Sequence, residues 1–148
     1  MHLKRFQDAQ PYDAPNHRGV VGLRLQGFEP NGPTNQWIGL SQFLPGGGAG
    51  PDSTPFEKVY VVIEGEMTVI IDGQETVLKK FDSCTIAPNE VRVIENRTNH
   101  TCTSVVRRKV FQRVQHVVLI LLIDRLLLDV RSQSLILLTS GLLTTKTT

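Results

Sequence analysis

Between Pro45 and Gly73 the chain reads PGGGAGPDSTPFEKVYVVIEGEMTVIIDG, and this stretch limits the possible folds more than any other. A glycine-rich turn leads into a β-branched run from Val59 to Ile63, Glu64-Gly65-Glu66 breaks it, and a second run follows from Met67 to Ile71. Asp72-Gly73 ends that second run. Both residues tolerate the positive φ that a two-residue type I′ hairpin demands. Short β-branched runs bounded by turn residues predict paired strands rather than helices.

The same punctuation recurs along the chain. Residues 1–19, with Pro11, Pro15 and Gly19, read as an irregular lead-in. Val20 to Leu25 has period-two character, Pro30-Asn31-Gly32-Pro33 is a turn, and Trp37 to Phe43 is a further strand. After the hairpin come Glu75 to Leu78, a turn at Lys79 to Asp82, Ser83 to Ile86, and Val91 to Ile94. No helical period is visible before residue 105. Strands at this spacing predict an all-β sandwich or barrel spanning residues 1–108.

Residues 109–148 form a Leu-rich C-terminal extension of different character. Val117 to Leu128 is almost wholly apolar, and its leucines favour a helix while its β-branched half suits a strand equally. Asp124, Arg125, Asp129 and Arg131 interrupt it short of the roughly 20 apolar residues of a membrane span. It reads as an element packed on the barrel or at a dimer interface, or as a tail foreign to the fold, as a splice or reading-frame change would produce.

Bulk properties narrow the function classes. The chain has 148 residues and a net charge of +2, with basic residues scattered apart from Arg107-Arg108-Lys109, which argues against nucleic acid. The N-terminus has no apolar core of a secretory signal, so a cytoplasmic protein with Cys84 and Cys102 reduced is expected. Asn96-Arg97-Thr98 and Asn99-His100-Thr101 are then chance matches to glycosylation sequons. His2, His17, His100 and His116 show no ligand spacing and read as solvated loop residues. Gly46-Gly47-Gly48 lacks the Lys-Ser/Thr of a phosphate loop and reads as a flexible turn.

The strand-turn EKVYVVIEGE and the spacing around it resemble the first sequence motif of the cupins, small antiparallel β-barrels of jelly-roll type that usually hold a metal. With the motif's final glycine on Gly65, its two histidines and its glutamate fall on Asp52, Thr54 and Lys58. The second motif fits from Phe81 to Asn96. Phe81 and Asn89 stand at its glycines, Ala87 at its proline and Arg92 at its histidine, and Asn96 matches. The resemblance covers roughly residues 40 to 105 and implies a cupin barrel, commonly a homodimer, without the family's usual metal ligands.

The replacements change the chemistry. Imidazole and carboxylate suit transition metals, whereas ammonium and guanidinium supply donors and positive charge. With Lys58 and Arg92 facing inward, the pocket repels a divalent ion and favours a carboxylate, enolate or phosphate, which Arg92 can grip in bidentate fashion. Desolvation lowers the pKa of an inward Lys58 and suits it to act as general base or Schiff-base nucleophile. Tyr60, two residues on and on the same face, with Trp37, Thr54 and Asp52, are the candidate substrate-binding residues. A register shift of one residue would instead turn Glu57 inward, to make a weak metal or acid-base site with Asp52. Lys58 on a strand edge, Arg92 in a surface pair with Glu90 or Glu95, and Asp52 as a turn residue are the corresponding structural roles.

Four functions are open at this point. The first is a metal-independent enzyme of isomerase, dehydratase, cyclase or lyase type. It would act on a small carboxylate- or carbonyl-bearing metabolite with Lys58 and Arg92 catalytic and no cofactor. The others are a non-catalytic small-molecule-binding module, a metal-dependent dioxygenase with unorthodox ligands, and an inactive paralogue. No nucleic acid and no membrane span are expected.

Overall fold

The computed structural model describes residues 1–110, which are all β apart from one turn of 3₁₀ helix at Phe6–Asp8. The strands are β1 (Gln10–Tyr12), β2 (His17–Gln26), β3 (Gln36–Asp52), β4 (Lys58–Glu64), β5 (Met67–Ile71), β6 (Gln74–Leu78), β7 (Ser83–Ile86), β8 (Arg92–Glu95) and β9 (Cys102–Lys109). All pairings are antiparallel, in the order β6-β5-β8-β3-β9-β4-β7, with β2 also on β3 and β1 on β2. This is the expected jelly-roll barrel. Among the described residues no helix is long and apolar enough to cross a membrane. Apart from Lys109 and Val110, the extension over 109–148 lies outside the described residues, including the run from Val117 to Leu128.

One strand joins the two halves of the barrel. The first part of β3 pairs with β9, from Gln36 opposite Lys109 to Phe43 opposite Cys102. Its last part pairs with β8, Ala49 opposite Ile94 and Asp52 opposite Arg92. A strand that serves two sheets must bend between them, and here Leu44 to Gly47 makes the bend. Asn96 clamps it. Its side-chain amide donates to the carbonyls of Phe43 (2.9 Å), Leu44 (3.2 Å) and His100 (2.7 Å). Its backbone pairs with Gly46 and Gly47. The glycine run is therefore not a flexible turn. It lies within β3, where a Cβ on Gly48 would come within 2.5 Å of the Ile94 carbonyl oxygen and one on Gly47 would strike that of Gly19. Neighbouring backbones pass too close there for any side chain.

The apolar alternation of the sequence becomes the core. Trp37, Phe43, Tyr60, Val62 and Ile94 are buried at alternate positions of their strands, and Met67 opens a run of three buried residues in β5. Asp72 (φ 49°) and Gly73 (φ 76°) make the expected β5–β6 hairpin. Two strands were not visible in the sequence. Within the supposed lead-in, β1 pairs with β2 and carries Pro11 on a sheet edge, where its missing N–H costs nothing. At the other end, β9 buries Cys102, Ser104 and Val106 on one face. Val91 to Ile94 is shifted by one residue, to Arg92–Glu95.

Both residues standing at the second motif's glycines keep the backbone conformation glycine favours, Phe81 at φ 72° and Asn89 at φ 64°. Asn tolerates this region, but a phenylalanine does so only at a cost. The Phe81 ring is exposed and touches Lys80 alone among the described cation–π contacts, so little offsets that cost. Phe81→Gly is expected to raise stability by about 1 kcal/mol, a Tm gain of about 4–8 °C for a domain of this size, while Phe81→Ala gives no gain. Thermal denaturation of both variants checks this; a destabilised Phe81→Gly would mean that the backbone here is not strained.

Candidate functional site

Three strands deliver three charged side chains to one point. Asp52 ends β3 just after a register shift between Ala49 and Asp52, a bulge that re-aims the side chain beside its partner strand. Arg92 opens β8 directly opposite, and Lys58 opens β4, paired with Ile86 of β7 and Arg108 of β9. The Asp52 carboxylate accepts from Arg92 Nη2 at 3.0 Å and forms a longer ion pair with Lys58 Nζ at 3.7 Å, both through Oδ2. Arg92 Nη1 donates to the carbonyls of Asp52 (3.3 Å) and Gly50 (3.5 Å). The Arg92 side chain is only 3% exposed, and its Nε is buried with no hydrogen-bond partner among the described residues.

These residues line a cavity of about 430 Å³, within the usual range for small-molecule sites. Lys58, Arg92, Asp52, Thr54, Tyr60 and Trp37 all face it. Thr54 spends its hydroxyl on the Phe56 carbonyl at 3.0 Å, so it shapes the loop as much as the cavity. Glu57 is exposed and lies outside the cavity, because Lys58 occupies the inward register and its neighbour turns away. The alternative carboxylate pair of Glu57 with Asp52 is therefore not assembled. Nor is Arg92 in a surface pair: Glu90 accepts from the Ala87 N–H at 2.8 Å, and Glu95 pairs with Arg97 at 2.6 Å. Asp52 is a bridging carboxylate at a strand end rather than a turn residue.

Other lining residues escaped the sequence reading. Tyr12 from β1 packs edge-on against Trp37, ring centroids 5.0 Å apart, with its hydroxyl 3.4 Å from Ser41 Oγ. His17 is half-buried on β2 and reaches the cavity, so it is not a solvated loop residue. Its Nδ1 donates to the Pro15 carbonyl at 2.7 Å. Arg108 faces the cavity from β9, on the same alternation that buries Ser104 and Val106. Reading that period through CTSVVRRK would have turned Arg108 inward. Among the described residues the cavity wall carries Arg24, Lys58, Arg92 and Arg108 with two carboxylates, Asp13 and Asp52, and Arg24 also pairs with Glu29 at 3.6 Å outside it.

The electrostatics follow from burial and this excess of cations. Desolvation pulls the Lys58 pKa below its ordinary 10.5; Arg92 and Arg108 add to the effect and Asp52 opposes it. Burial pushes the Tyr60 hydroxyl up from 10.0, against the pull of the Arg92 guanidinium, so it stays protonated. A metal does not fit this donor set. A guanidinium has no lone pair to offer, and a lysine offers one only after losing its proton. No group of three His, Cys, Asp or Glu capable of holding an ion occurs among the described residues.

Fold and cavity define a small single-barrel jelly roll whose interior brings Lys58, Arg92 and Asp52 together. The Cupin_2 family model, a cupin domain, matches residues 39–106. A Mycobacterium tuberculosis protein named Beta-D-galactosidase is 48% identical over 99 residues, 67% of this chain and 85% of that protein. The chain belongs to the cupin superfamily. Among solved structures it resembles the polyketide cyclase RemF from Streptomyces resistomycificus, with a TM-score of 0.66 at 18% identity over 74% of this chain and 79% of that one. It also resembles an RmlC-like cupin from Shewanella frigidimarina, at 0.61 and 18% over 76% and 94% respectively. At such identities these two likenesses concern the fold alone.

Burial of Lys58 has a consequence for stability. Because the folded state releases the Lys58 proton more readily, the unfolded chain binds more protons between the lowered folded value and 10.5. Stability from this group therefore rises with pH across that window. Relative to Lys58→Met, the wild type is expected to gain stability as pH rises from about 7 to about 10. Denaturant titrations of both proteins measure the difference; a gap that does not move with pH would place Lys58 in solvent.

Proposed function

We propose that this cupin is a metal-independent acid–base enzyme for a small carboxylate- or carbonyl-bearing metabolite. The observation that supports it is the meeting of Lys58, Arg92 and Asp52 in one interior cavity, with the Lys58 pKa lowered. A lysine that sheds its proton more easily than usual is a competent general base. Neutral Lys58 takes a proton from the carbon beside the carbonyl, and Arg92 holds the enolate oxygen or carboxylate on which negative charge accumulates. Lys58 then returns that proton to another carbon, giving an isomerase, or to a β-hydroxyl that leaves as water while the C=C bond forms, giving a dehydratase or lyase; in a cyclase the enolate carbon attacks a second carbonyl of the substrate, whose oxygen takes the proton from Lys58. Asp52 orients both cations, while Tyr60 and Trp37 form the wall. A homodimer is the state the family resemblance suggests, and the cytoplasm is the compartment expected from the sequence.

A second reading is favoured by the 48% identity to the protein named Beta-D-galactosidase. On that reading the bond is a β-galactosidic one, and Asp13 and Asp52, the two carboxylates lining the cavity, supply the paired groups such hydrolysis commonly uses.

One pair of assays separates the readings. Small 2-oxo acids and sugar acids in deuterated water should gain deuterium at carbon under the wild type, and Lys58→Ala should slow this by roughly a hundredfold or more. A nitrophenyl β-D-galactoside cleaved by the wild type but not by Asp52→Asn or Asp13→Asn, with no deuterium incorporated, selects the second reading. Ligand binding without either activity would make the barrel a binding module.

A further inference from the structure

Arg108 has no role in the chemistry above, yet it lines the same cavity and is built to stay there. Its guanidinium carbon lies 5.0 Å from the centre of the Trp37 ring and 5.9 Å from that of Phe56. The register explains both the position and the neighbours. In the β4–β9–β3 ladder, Arg108 stands between Lys58 on one side and Trp37 on the other. Aromatic faces hold a guanidinium by cation–π attraction while leaving its N–H edge free for an acceptor in the plane. No carboxylate takes that edge, for Arg108 makes no ion pair or hydrogen bond recorded among the described residues. Its neighbour Arg107 differs, donating to Gln36 Oε1 at 3.0 Å.

Arg92 is the counterpart across the cavity. It is more than nine-tenths buried, it lines the cavity beside the Tyr60 hydroxyl, and its Nε has no hydrogen-bond partner among the described residues. Leaving a charge-bearing donor buried and unmet costs free energy that a ligand oxygen would recover. Asp52 satisfies one edge of Arg92 and part of Lys58, and Asp13 is the other carboxylate on the wall, so the cations outnumber the anions within reach.

We propose that Arg92 and Arg108 form a two-arginine subsite, so that the ligand of this cavity is a small molecule carrying an oxyanion, as a carboxylate or a phosphate ester. Arg92 grips the oxyanion from β8 and Arg108 from β9, with Trp37 holding the Arg108 guanidinium in place. This deepens the function proposed above by naming the charge of the substrate, and it rests on the same cavity being the site. Lys58 stands opposite Arg108 in the ladder and shares the Asp52 carboxylate with Arg92, beside the proposed subsite.

Trp37 is the only tryptophan of the chain, so its fluorescence reports this subsite directly. The probes are galactose, galacturonate and galactose 1-phosphate, which share a ring and differ in charge. Titrations of the full chain by fluorescence and calorimetry should find the two anionic sugars binding at least about tenfold more tightly than galactose, with affinity falling as salt rises. The better of the two assigns carboxylate or phosphate. Arg108→Gln should weaken the anionic probes by about tenfold to a hundredfold and leave galactose unchanged, with Arg108→Lys between them. Equal affinities for neutral and anionic probes, no binding of any probe at millimolar concentration, or anion affinities untouched by Arg108→Gln in a folded protein overturns the proposal. Lys58→Met separates it from the catalytic reading: anion binding that persists while wild type and variant alike show no turnover sinks the enzyme and keeps the subsite.

Discussion

The bend of β3, held by Asn96, is the constraint on which the rest of the barrel depends. A single strand of 17 residues enters both halves of the molecule, and its neighbours take their register from it. The bend needs a positive φ, which Gly46 takes, backbone that can pass close to other backbone, which Gly47 and Gly48 provide, and something to occupy the carbonyls that a regular ladder would have paired. The Asn96 amide does the second, fully buried and bonded on both its oxygen and its nitrogen. Beyond the bend, β3 runs on to the bulge that presents Asp52 to Arg92. The site is thus placed by the same strand that joins the two halves.

At that site, Asp52, Lys58 and Arg92 stand at positions where the cupin motifs usually carry metal-ligating histidines and a glutamate. Asp52 is shared by two cations, and the cavity retains a surplus of positive charge around Lys58. The surplus has two effects that point the same way. It favours an anionic ligand, the class proposed above, and it adds to the burial that makes the Lys58 proton easier to lose. Burial alone would also lower the lysine, but a neutral apolar pocket would give no reason for an anionic substrate. The arginines supply both from one arrangement of three strands.

Much of the fold was legible in the sequence because it depends on local alternation. Val59 to Ile63, Met67 to Ile71 and the Asp72-Gly73 turn each carry their own pattern, and the structure has strands and a hairpin there. Lys58 and Arg92 were placed together by motif spacing, and the strand register puts both on the cavity. Elsewhere the decisive contacts are distant in sequence. Gln10–Tyr12 is too short and contains proline, so only its pairing with β2 makes it a strand. Cys102–Lys109 reads as polar and basic, and its burial becomes visible only once β3 and β4 flank it. His17 and Arg108 were missed for this reason: a histidine near a proline and an arginine in a basic cluster look solvated until the sheet turns them inward. The glycine run was misread because close backbone approach leaves the same signature as flexibility.

The most direct test of the central claim is the metal content of the full chain purified from metal-replete cells, measured together with ligand binding. A cavity organised by Lys58, Arg92 and Asp52 should carry no stoichiometric transition metal and should bind its ligand equally well after chelator treatment. One equivalent of a transition metal, lost together with binding in Asp52→Ala, would contradict a site built on charge alone.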